Sequence, residues 1–527
     1  MGGDLREHSI RQHPFTSAHH RGCGFVAGGF NSQNAGSAHL SILLKLREEC
    51  LPGKTTLNLT TDKAQQAARV VQSLRQAGYT AYLVGGCVRD LLLGREPADY
   101  DVATSATPDD VMRLFPQTYA VGVQFGVVLV PVRRDTPEGE RDNYVIEVAT
   151  FRSDGLYSDS RHPDEVQFSR DAQTDVQRRD FTINGLLLDP ATGEVLDYVG
   201  GREDLQRQIL RTIGDARQRF TEDKLRMLRA VRFAARFGYA IDAQTFQAIR
   251  DLKAEIHRVS HERIRDEILK MLTEGRARRA FELLDETGLL AEVLPEIKRM
   301  QGVQQPPQFH PEGDVWVHTL LLLEGLEAGC SKTLALGALL HDVGKPPTFR
   351  VAPDRIRFDQ HAEVGTRMAE EICRRFRLSN DETGQVCALV ANHMRFGDVQ
   401  KMKESTLKRF LRLQQFDEHM ALHRLDCLAS HRDLSLYEFA HERLHTMPAE
   451  QIRPKPLING DDLIAAGYSP GPLFKELLLA VEDAQLEGSI ATREQALALV
   501  LEKTKKLTPE EQPGRATTKS KSAADLR

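Results

Sequence analysis

The sequence predicts an α+β fold, with a small mixed-sheet head followed by a long run of helices. Two observations carry this. Strand-like runs fall between residues 82 and 151, and beyond about Leu205 only helical patterning is read. At 527 residues the chain is also too long for one core, which sets a prior of roughly three or four domains. The expected organisation is an extension over 1–58, the head over 59–204 and a helical neck over 205–300. A further helical domain over 301–450, a helical tail over 451–504 and a disordered end over 505–527 follow.

Residues 1–58 are rich in Gly, Ser and His and lack the apolar core of a signal peptide. They read as a disordered extension or an over-called start rather than a transit peptide. The formal net charge of -5 argues against indiscriminate coating of nucleic acid but permits a local basic face. No apolar run approaches the roughly 20 residues a membrane span needs, so no membrane partner is expected. The seven cysteines are scattered without a CxxC pair, which fits reduced thiols in a cytoplasm.

Residues 63–77 place Ala67, Val70, Val71 and Leu74 at helical spacing, predicting an amphipathic helix that leads through Gly78 into a strand. That strand, Tyr82-Leu83-Val84, stops at Gly85-Gly86. Residues 88–93 read as a short helix ended by Gly94. Asp99-Tyr100-Asp101-Val102 then alternates as a second strand, so Asp99 and Asp101 share a face. Thr107-Pro108 starts a helix over 107–115. Strands are expected at 126–132 and 144–151, the second carrying Glu147 among Val145, Ile146 and Val148. Residues 151–168, FRSDGLYSDSRHPDEVQF, read as a mobile polar loop near the site.

These elements bring together the parts of a nucleotide-transfer site. Backbone N–H groups freed by Gly85 and Gly86 at a helix N-terminus are suited to phosphates. Glu147 reads either as an ordinary edge or paired residue, or as a third carboxylate brought beside Asp99 and Asp101 by strand pairing. In the second case the three hold two magnesium ions, which neutralise a triphosphate and deprotonate an attacking hydroxyl. Arg178-Arg179-Asp180 runs through Asn184-Gly185 straight into Leu186-Leu187-Leu188, so this polar cluster must enter the core. Its arginines suit triphosphate oxygens, and Asp180 or Asn184 suits ribose hydroxyls.

In the neck, residues 220–237 (FTEDKLRMLRAVRFAARF) set Leu225, Leu228, Val231 and Ala235 on one helical stripe. Asp223, Arg226, Arg229 and Arg232 step by three along one side. The plain reading is a solvated, ion-paired face. The sharper one starts from the bases: cytosine and adenine each show an amino donor beside a ring-nitrogen acceptor, whereas guanine and uracil show the opposite polarity. An acceptor-only aspartate beside a donor-only arginine matches C and A.

GGCVRDLLLGREPADYDVAT, RRDFTINGL and EDKLRMLRAVRFAARF, in this order, resemble the bacterial class II tRNA nucleotidyltransferases, the CCA-adding enzymes of the DNA polymerase beta-like superfamily. The resemblance covers about residues 60–300, with further similarity towards the C-terminus. It implies a nucleotidyltransferase head in which Asp99, Asp101 and Glu147 hold catalytic Mg2+. It also implies that Gly86, Arg89 and Arg179 bind nucleotide with Asp180 near the sugar, and that Asp223 and Arg226 select the base, followed by Arg229 and Arg232. The implied partners are tRNA, CTP and ATP, with no DNA. Two departures are visible, Lys224 where proline is common and Gly185 where alanine is common, and neither removes a functional group. The tRNA is expected along a basic side formed by Arg211, Arg217, Arg219, Arg226, Arg229 and Arg232, bound mainly through phosphates and shape.

After a linker around Gln305-Pro306-Pro307, His318, His341-Asp342 and Asp426 form a second candidate centre. Imidazole and carboxylate on helices are a reasonable shell for a divalent ion that activates water. The pattern resembles the HD-domain phosphohydrolases, and His361 and His393 read equally as added ligands or as plain surface histidines. HD domains fused to such transferases imply activity on 2′-phosphate or 2′,3′-cyclic phosphate ends. Residues 458–471 read as a capped short helix and turn, and 472–486 as a helix. The rival readings are a poly(A) polymerase or A-adding enzyme, and an HD phosphohydrolase whose head only binds RNA. Against the first, residues 121–128 (VGVQFGVV) lack the arginines of the polymerases' basic segment. Against the second, a pure binding module has no need of a metal triad.

Overall fold

Short apolar runs separated by glycine and proline turns build one six-stranded mixed sheet in the head. The computed structural model describes residues 57, 59–120, 125–135, 141–155, 166–308 and 310–505. The expectations for most of 1–58, for the end beyond 505 and for 121–124 lie outside the described residues. The head strands are β1 (Ala81–Val84), β2 (Asp101–Thr104), β3 (Val127–Asp135), β4 (Arg141–Thr150), β5 (Arg152–Asp154), β6 (Val166–Phe168), β7 (Leu186–Leu188) and β8 (Val195–Asp197). The sheet order is β3-β4-β2-β1-β7-β8, with β2 parallel to β4 and the other neighbours antiparallel.

Alternation along the strands sends Leu83, Val102, Val148 and Leu186 into one buried cluster and Val84, Ala103 and Leu187 into another. The helix Asp62–Gln76 covers the first face with Ala64, Ala67, Val70, Val71 and Leu74. Its start is fixed by Thr61, whose side chain accepts the Ala64 N–H, and by Asp62 in the first turn. The helix Pro108–Leu114 begins in a capping box between Thr107 and Asp110. The helix Ala172–Gln177 closes the other face with Ala172 and Val176.

Four details differ from the sequence reading. Asp99 precedes β2 rather than lying in it, and is exposed. The stretch 151–168 is not all loop: β5 and β6 pair antiparallel at its ends, while 156–165 lie outside the described residues. Residues 220–237 are not one helix but the end of Ala216–Glu222 and all of Leu225–Phe237. Asp223 makes the break, because its backbone is extended and its side chain accepts the Leu225 N–H at 3.1 Å, a local bond that competes with helix continuation. Nor is the chain beyond Leu205 free of strands. β9 (Ile209–Leu210) pairs parallel with β10 (Ala240–Ile241), and β11 (Arg350–Val351) pairs antiparallel with β12 (Ile356–Arg357). Two-residue strands are too short to leave an alternating signal.

The two sequence departures fit their surroundings. Lys224 has φ -63°, the value a proline would fix, and its buried ammonium caps the Thr221 carbonyl at 2.6 Å. A methyl on Gly185 would lie 2.8 Å from Val199 Cγ2 and 3.0 Å from Ile213 Cδ1, so larger neighbours occupy its space.

The main core cluster draws members from Ala64 to Ala429, in the head and the helical body alike. Beside it, smaller clusters span Phe396 to Ile452 and Ile458 to Val500. Gln305, expected in a linker, is buried. In the last cluster the helix Gly460–Ala465, capped by Asn459, is followed by Pro472–Leu486, as read from the sequence, and by Arg493–Lys505. Among the described residues no helix is long and apolar enough to cross a membrane, and five cysteines are free.

Gly344 sits where two segments of the helical body pass close to each other. A Cβ there would overlap the His361 carbonyl oxygen and come within 2.5 Å of the Gly365 nitrogen, both backbone atoms. Gly344→Ala should therefore cost on the order of 1–3 kcal/mol through overpacking. Calorimetric unfolding should show a lowered midpoint, and an unchanged one would mean the two segments part without cost.

Candidate active sites

The parallel register of β2 and β4 sets Asp101 directly opposite Glu147. Burial and the neighbouring Glu147 and Asp99 push the Asp101 carboxyl up to about 6, against the pull of Arg179. Burial and Asp99 likewise raise Glu147, with Arg179 opposing. The three predicted carboxylates thus act on one another electrostatically. Such a cluster of oxygens, destabilised as anions by their own proximity, suits a hard cation such as Mg2+.

Arg179 faces this cluster because a residue not singled out in the sequence holds it there. Asp175, buried, takes Arg179 at 2.9 Å through one oxygen and Arg178 at 2.7 Å through the other. The spacing of three and four residues along a helix was the available signal. Gly85 lies at φ 80°, and the Arg179 guanidinium comes within 3.5 Å of where its Cβ would be. A side chain there would be strained and crowd the arginine. Gly86 opens the helix Gly86–Leu92.

Arg89, expected at the nucleotide, is buried instead. It pairs with Asp90 at 2.8 Å, donates to Asn184 Oδ1 at 2.5 Å and stacks 4.6 Å from the Phe237 ring. Asn184 in turn donates to Asp180 Oδ1 at 3.1 Å. The second oxygen of Asp180 takes Arg229 Nε and Nη2 at 3.0 and 2.7 Å. Burial alone would raise Asp180, but Arg229 brings it down to about 2. The side chains expected at the sugar are therefore joined to the neck.

In the neck, Arg226 bonds Glu222 at 2.9 Å and the Arg178 carbonyl at 3.1 Å, while Asp223 takes Arg263 at 2.9 Å. Arg232 is buried between Glu267 at 2.6 Å and Glu274 at 3.3 Å, so it presents no charge to solvent. The rest of the expected basic side is also ion-paired: Arg211 with Asp204, Arg217 with Asp251 and Arg219 with Glu222.

The second centre converges from five segments. His318 Nε2 lies 3.1 Å from Asp426 Oδ1 and 3.2 Å from His341 Nε2, and His341 lies 3.1 Å from Asp342 Oδ2. His361 and His393 join it: their Nε2 atoms are 3.3 Å apart and each is 3.8 Å from Asp342 Oδ1. His341, His361 and His393 each direct Nδ1 at the carbonyl three residues back, so that nitrogen carries the proton and Nε2 offers a lone pair inward. Burial lowers His361, and lowers His393 to about 4, so both are neutral at pH 7. Two lone pairs then face each other at 3.3 Å beside a carboxylate. That arrangement fits a bound cation, and the imidazole-rich donor set suits a transition ion.

Supporting groups went unread in the sequence. Glu312 accepts from His318 Nδ1 at 2.7 Å and from His310 Nδ1 at 2.9 Å, orienting the His318 ring as a carboxylate does behind a metal-binding histidine. Burial would lower His318, but Asp426 and Glu312 raise it to about 9. Lys345, buried, bridges Asp342 at 2.7 Å and Gln305 at 2.6 Å. A cavity of about 550 Å³ opens beside the cluster, with Lys345, Arg355, Arg357, Phe358 and Met394 among its lining.

Known proteins match most of this framework. Residues 81–211 match the poly A polymerase head domain, 238–301 a probable RNA and SrmB-binding site of polymerase A, and 360–501 a putative tRNA nucleotidyltransferase domain 2. The CCA-adding enzyme of Geobacillus stearothermophilus is 47% identical over 227 residues, 43% of this chain and 54% of that protein. That of Lactobacillus johnsonii is 39% identical over 262 residues, 49% and 63% of the two chains. The chain thus spans between about half and two thirds of the length of these curated relatives. The crystal structure of the Bacillus stearothermophilus CCA-adding enzyme in complex with CTP superposes with a TM-score of 0.64 at 28% identity, covering 85% of this chain and 98% of that one. A second CCA-adding enzyme structure with CTP, at 19% identity and TM-score 0.54, shares the fold.

Protein freed of metal with a chelator and dialysed against Mn2+ should retain the ion at the histidine cluster. Asp342→Ala, which removes the carboxylate common to both histidine pairs, should lose it. Equal ion content in the two proteins would move the binding elsewhere.

Proposed function

We propose that this chain is a tRNA nucleotidyltransferase that adds C, C and A to tRNA 3′ ends from CTP and ATP. The observation that carries this reading is the Asp101–Glu147 register with Asp99 and Arg179 beside it. The likeness to CCA-adding enzymes over the head supports it. Asp99, Asp101 and Glu147 would hold Mg2+, which when bound neutralises the triphosphate and makes the tRNA 3′ hydroxyl a better nucleophile. Arg179 faces the triphosphate and places a permanent cation where charge accumulates. Asp223 and Arg226 offer an acceptor and a donor to the base edge. Asp180, Asn184, Arg89 and Arg229 act one step back, fixing the neck helix against the head.

The second centre is proposed to be an HD-type phosphohydrolase site acting on phosphate ends, with His318, His341, Asp342 and Asp426 as ligands and His361 and His393 completing the shell. Lys345, Arg355 and Arg357 supply positive charge along its cavity. A divalent ion there activates water.

Transcribed tRNA lacking its CCA end, given CTP, ATP or both, should gain C, C and A and stop; open-ended A addition would instead assign a poly(A) polymerase. Asp101→Ala should lower transfer by 10³ or more in kcat, on the order expected when a group made for the transition state is removed, and leave phosphohydrolysis intact. Asp342→Ala should do the reverse, and loss of both activities in either variant would refute two separate sites. Arg226→Ala should lower selection of C and A over U and G more than it weakens tRNA binding.

A further inference from the structure

A second cavity, of about 700 Å³, opens between the helices Val315–Glu324 and Phe416–Ala429. It adjoins the one beside the histidine cluster, because Ser430 and His431 line both. Its volume lies in the ordinary range of ligand sites and leaves room for a nucleotide.

Glu312 ties this cavity to the cluster. Its Oε1 accepts from His318 and His310, whereas Oε2 is buried with no hydrogen-bond partner among the described residues. The side chain is only 7% exposed and lines the cavity. A carboxylate oxygen so placed is costly until it receives a donor such as a hydroxyl. Two exposed arginines, Arg424 and Arg432, line the same space. Unlike the arginines of the neck, neither is in an ion pair among the described residues. Arg432 also stands at φ 61°, a left-handed backbone that costs a non-glycine residue free energy and clusters where ligands are held. Between the cavities, His431 accepts the Asp433 N–H on Nδ1 at 3.0 Å, so its Nε2 carries the proton and is a donor.

We propose that this cavity binds a nucleotide unit, with a phosphate on Arg424 and Arg432, a ribose hydroxyl on Glu312 Oε2 and the base against Leu321, Leu425 and Leu428. With the adjoining cavity it makes the histidine centre a site for a linear diribonucleotide as well as for phosphate ends. This rests on the centre being a phosphohydrolase. The 5′ nucleotide lies in the second cavity, and the phosphate that bridges the two units lies at the junction, where His431 Nε2 can donate to it. Hydrolysis bonds the oxygen of water to the bridging phosphorus and breaks the P–O bond to the 3′ oxygen of the 5′ unit. A proton of that water ends on the departing oxygen, so two 5′ nucleotides are released. The order of the contacts agrees with this placement: Glu312 touches the centre through His318, and the 2′ hydroxyl is the neighbour of the departing oxygen.

The full chain loaded with Mn2+ should hydrolyse a 5′-phosphorylated diribonucleotide to two 5′ nucleotides, and Asp342→Ala should not. Arg432→Gly keeps the backbone, since glycine adopts a positive φ freely. It should lower the ratio of kcat/KM for the diribonucleotide over a 2′ nucleotide by about tenfold, the scale of one hydrogen bond to a charged group. Arg424→Gln should move the ratio in the same direction. A dinucleotide whose 5′ unit is 2′-deoxy should lose about fivefold in kcat/KM, as for a single hydrogen bond. Titration calorimetry of the metal-free chain should show the affinity for the diribonucleotide weakened by the same changes, without turnover. Hydrolysis of the 2′ nucleotide alone, or equal losses on both substrates in Arg432→Gly, would overturn the subsite and leave the phosphohydrolase standing. If neither substrate is hydrolysed, the phosphohydrolase reading itself falls, and the subsite with it.

Discussion

The head depends on one costly contact, the placement of Asp101 opposite Glu147 across a parallel ladder. Like charges on facing strands oppose each other, and burial makes each less willing to ionise. A nearby cation offsets this, and the chain supplies one of its own in Arg179. That guanidinium cannot give up its charge, and it stays beside the carboxylates because the buried Asp175 holds it from behind. Asp175 also holds Arg178, whose carbonyl receives Arg226 from the neck. The carboxylates, the arginines and the start of the neck helix are therefore one electrostatic unit.

From there the coupling continues inward. Arg89 reaches Asn184, Asn184 reaches Asp180, and Asp180 takes Arg229 from the neck helix. Beyond Arg229 the chain of charges passes to Glu267 and Arg232. Buried pairs of this kind add little net stability over a well-packed apolar core, but losing one member strands the other and is expensive. Their consequence is geometric. These contacts seat the neck helix against the head through paired charges.

Much of this was legible in the sequence where the signal is local and periodic. Alternation gave the strands and put Asp99 and Asp101 on one face, although Asp99 lies just ahead of β2. Glu147 stayed open between a paired strand residue and a third carboxylate until the β2–β4 register set it opposite Asp101. The helix Pro472–Leu486 was readable to the residue from Gly471-Pro472 and its apolar pattern. What stayed hidden depends on partners distant in sequence. Nothing periodic announces that Asp180 pairs with Arg229, 49 residues on, or that Arg263 reaches Asp223, 40 residues back. Arg89 and Arg232 are placed at the nucleotide by the family resemblance, which carries no sign of burial. The structure packs them against the rings of Phe237 and Phe233, with Arg89 paired to Asp90 and Arg232 to Glu267. His361 and His393 could be weighed only once helix packing had brought them to Asp342.

The two centres differ in what they ask of a cation. In the head the donors are carboxylate oxygens at the end of a sheet, partly offset by Arg179, a setting for a hard ion that keeps much of its water. In the helical body the inward donors are mostly imidazole nitrogens, each oriented by a bond on its far side, and such a shell favours a transition ion. Lys345 works against a second hard cation there, because its ammonium already neutralises Asp342 on one side. Donor chemistry alone thus suits the two centres to different ions.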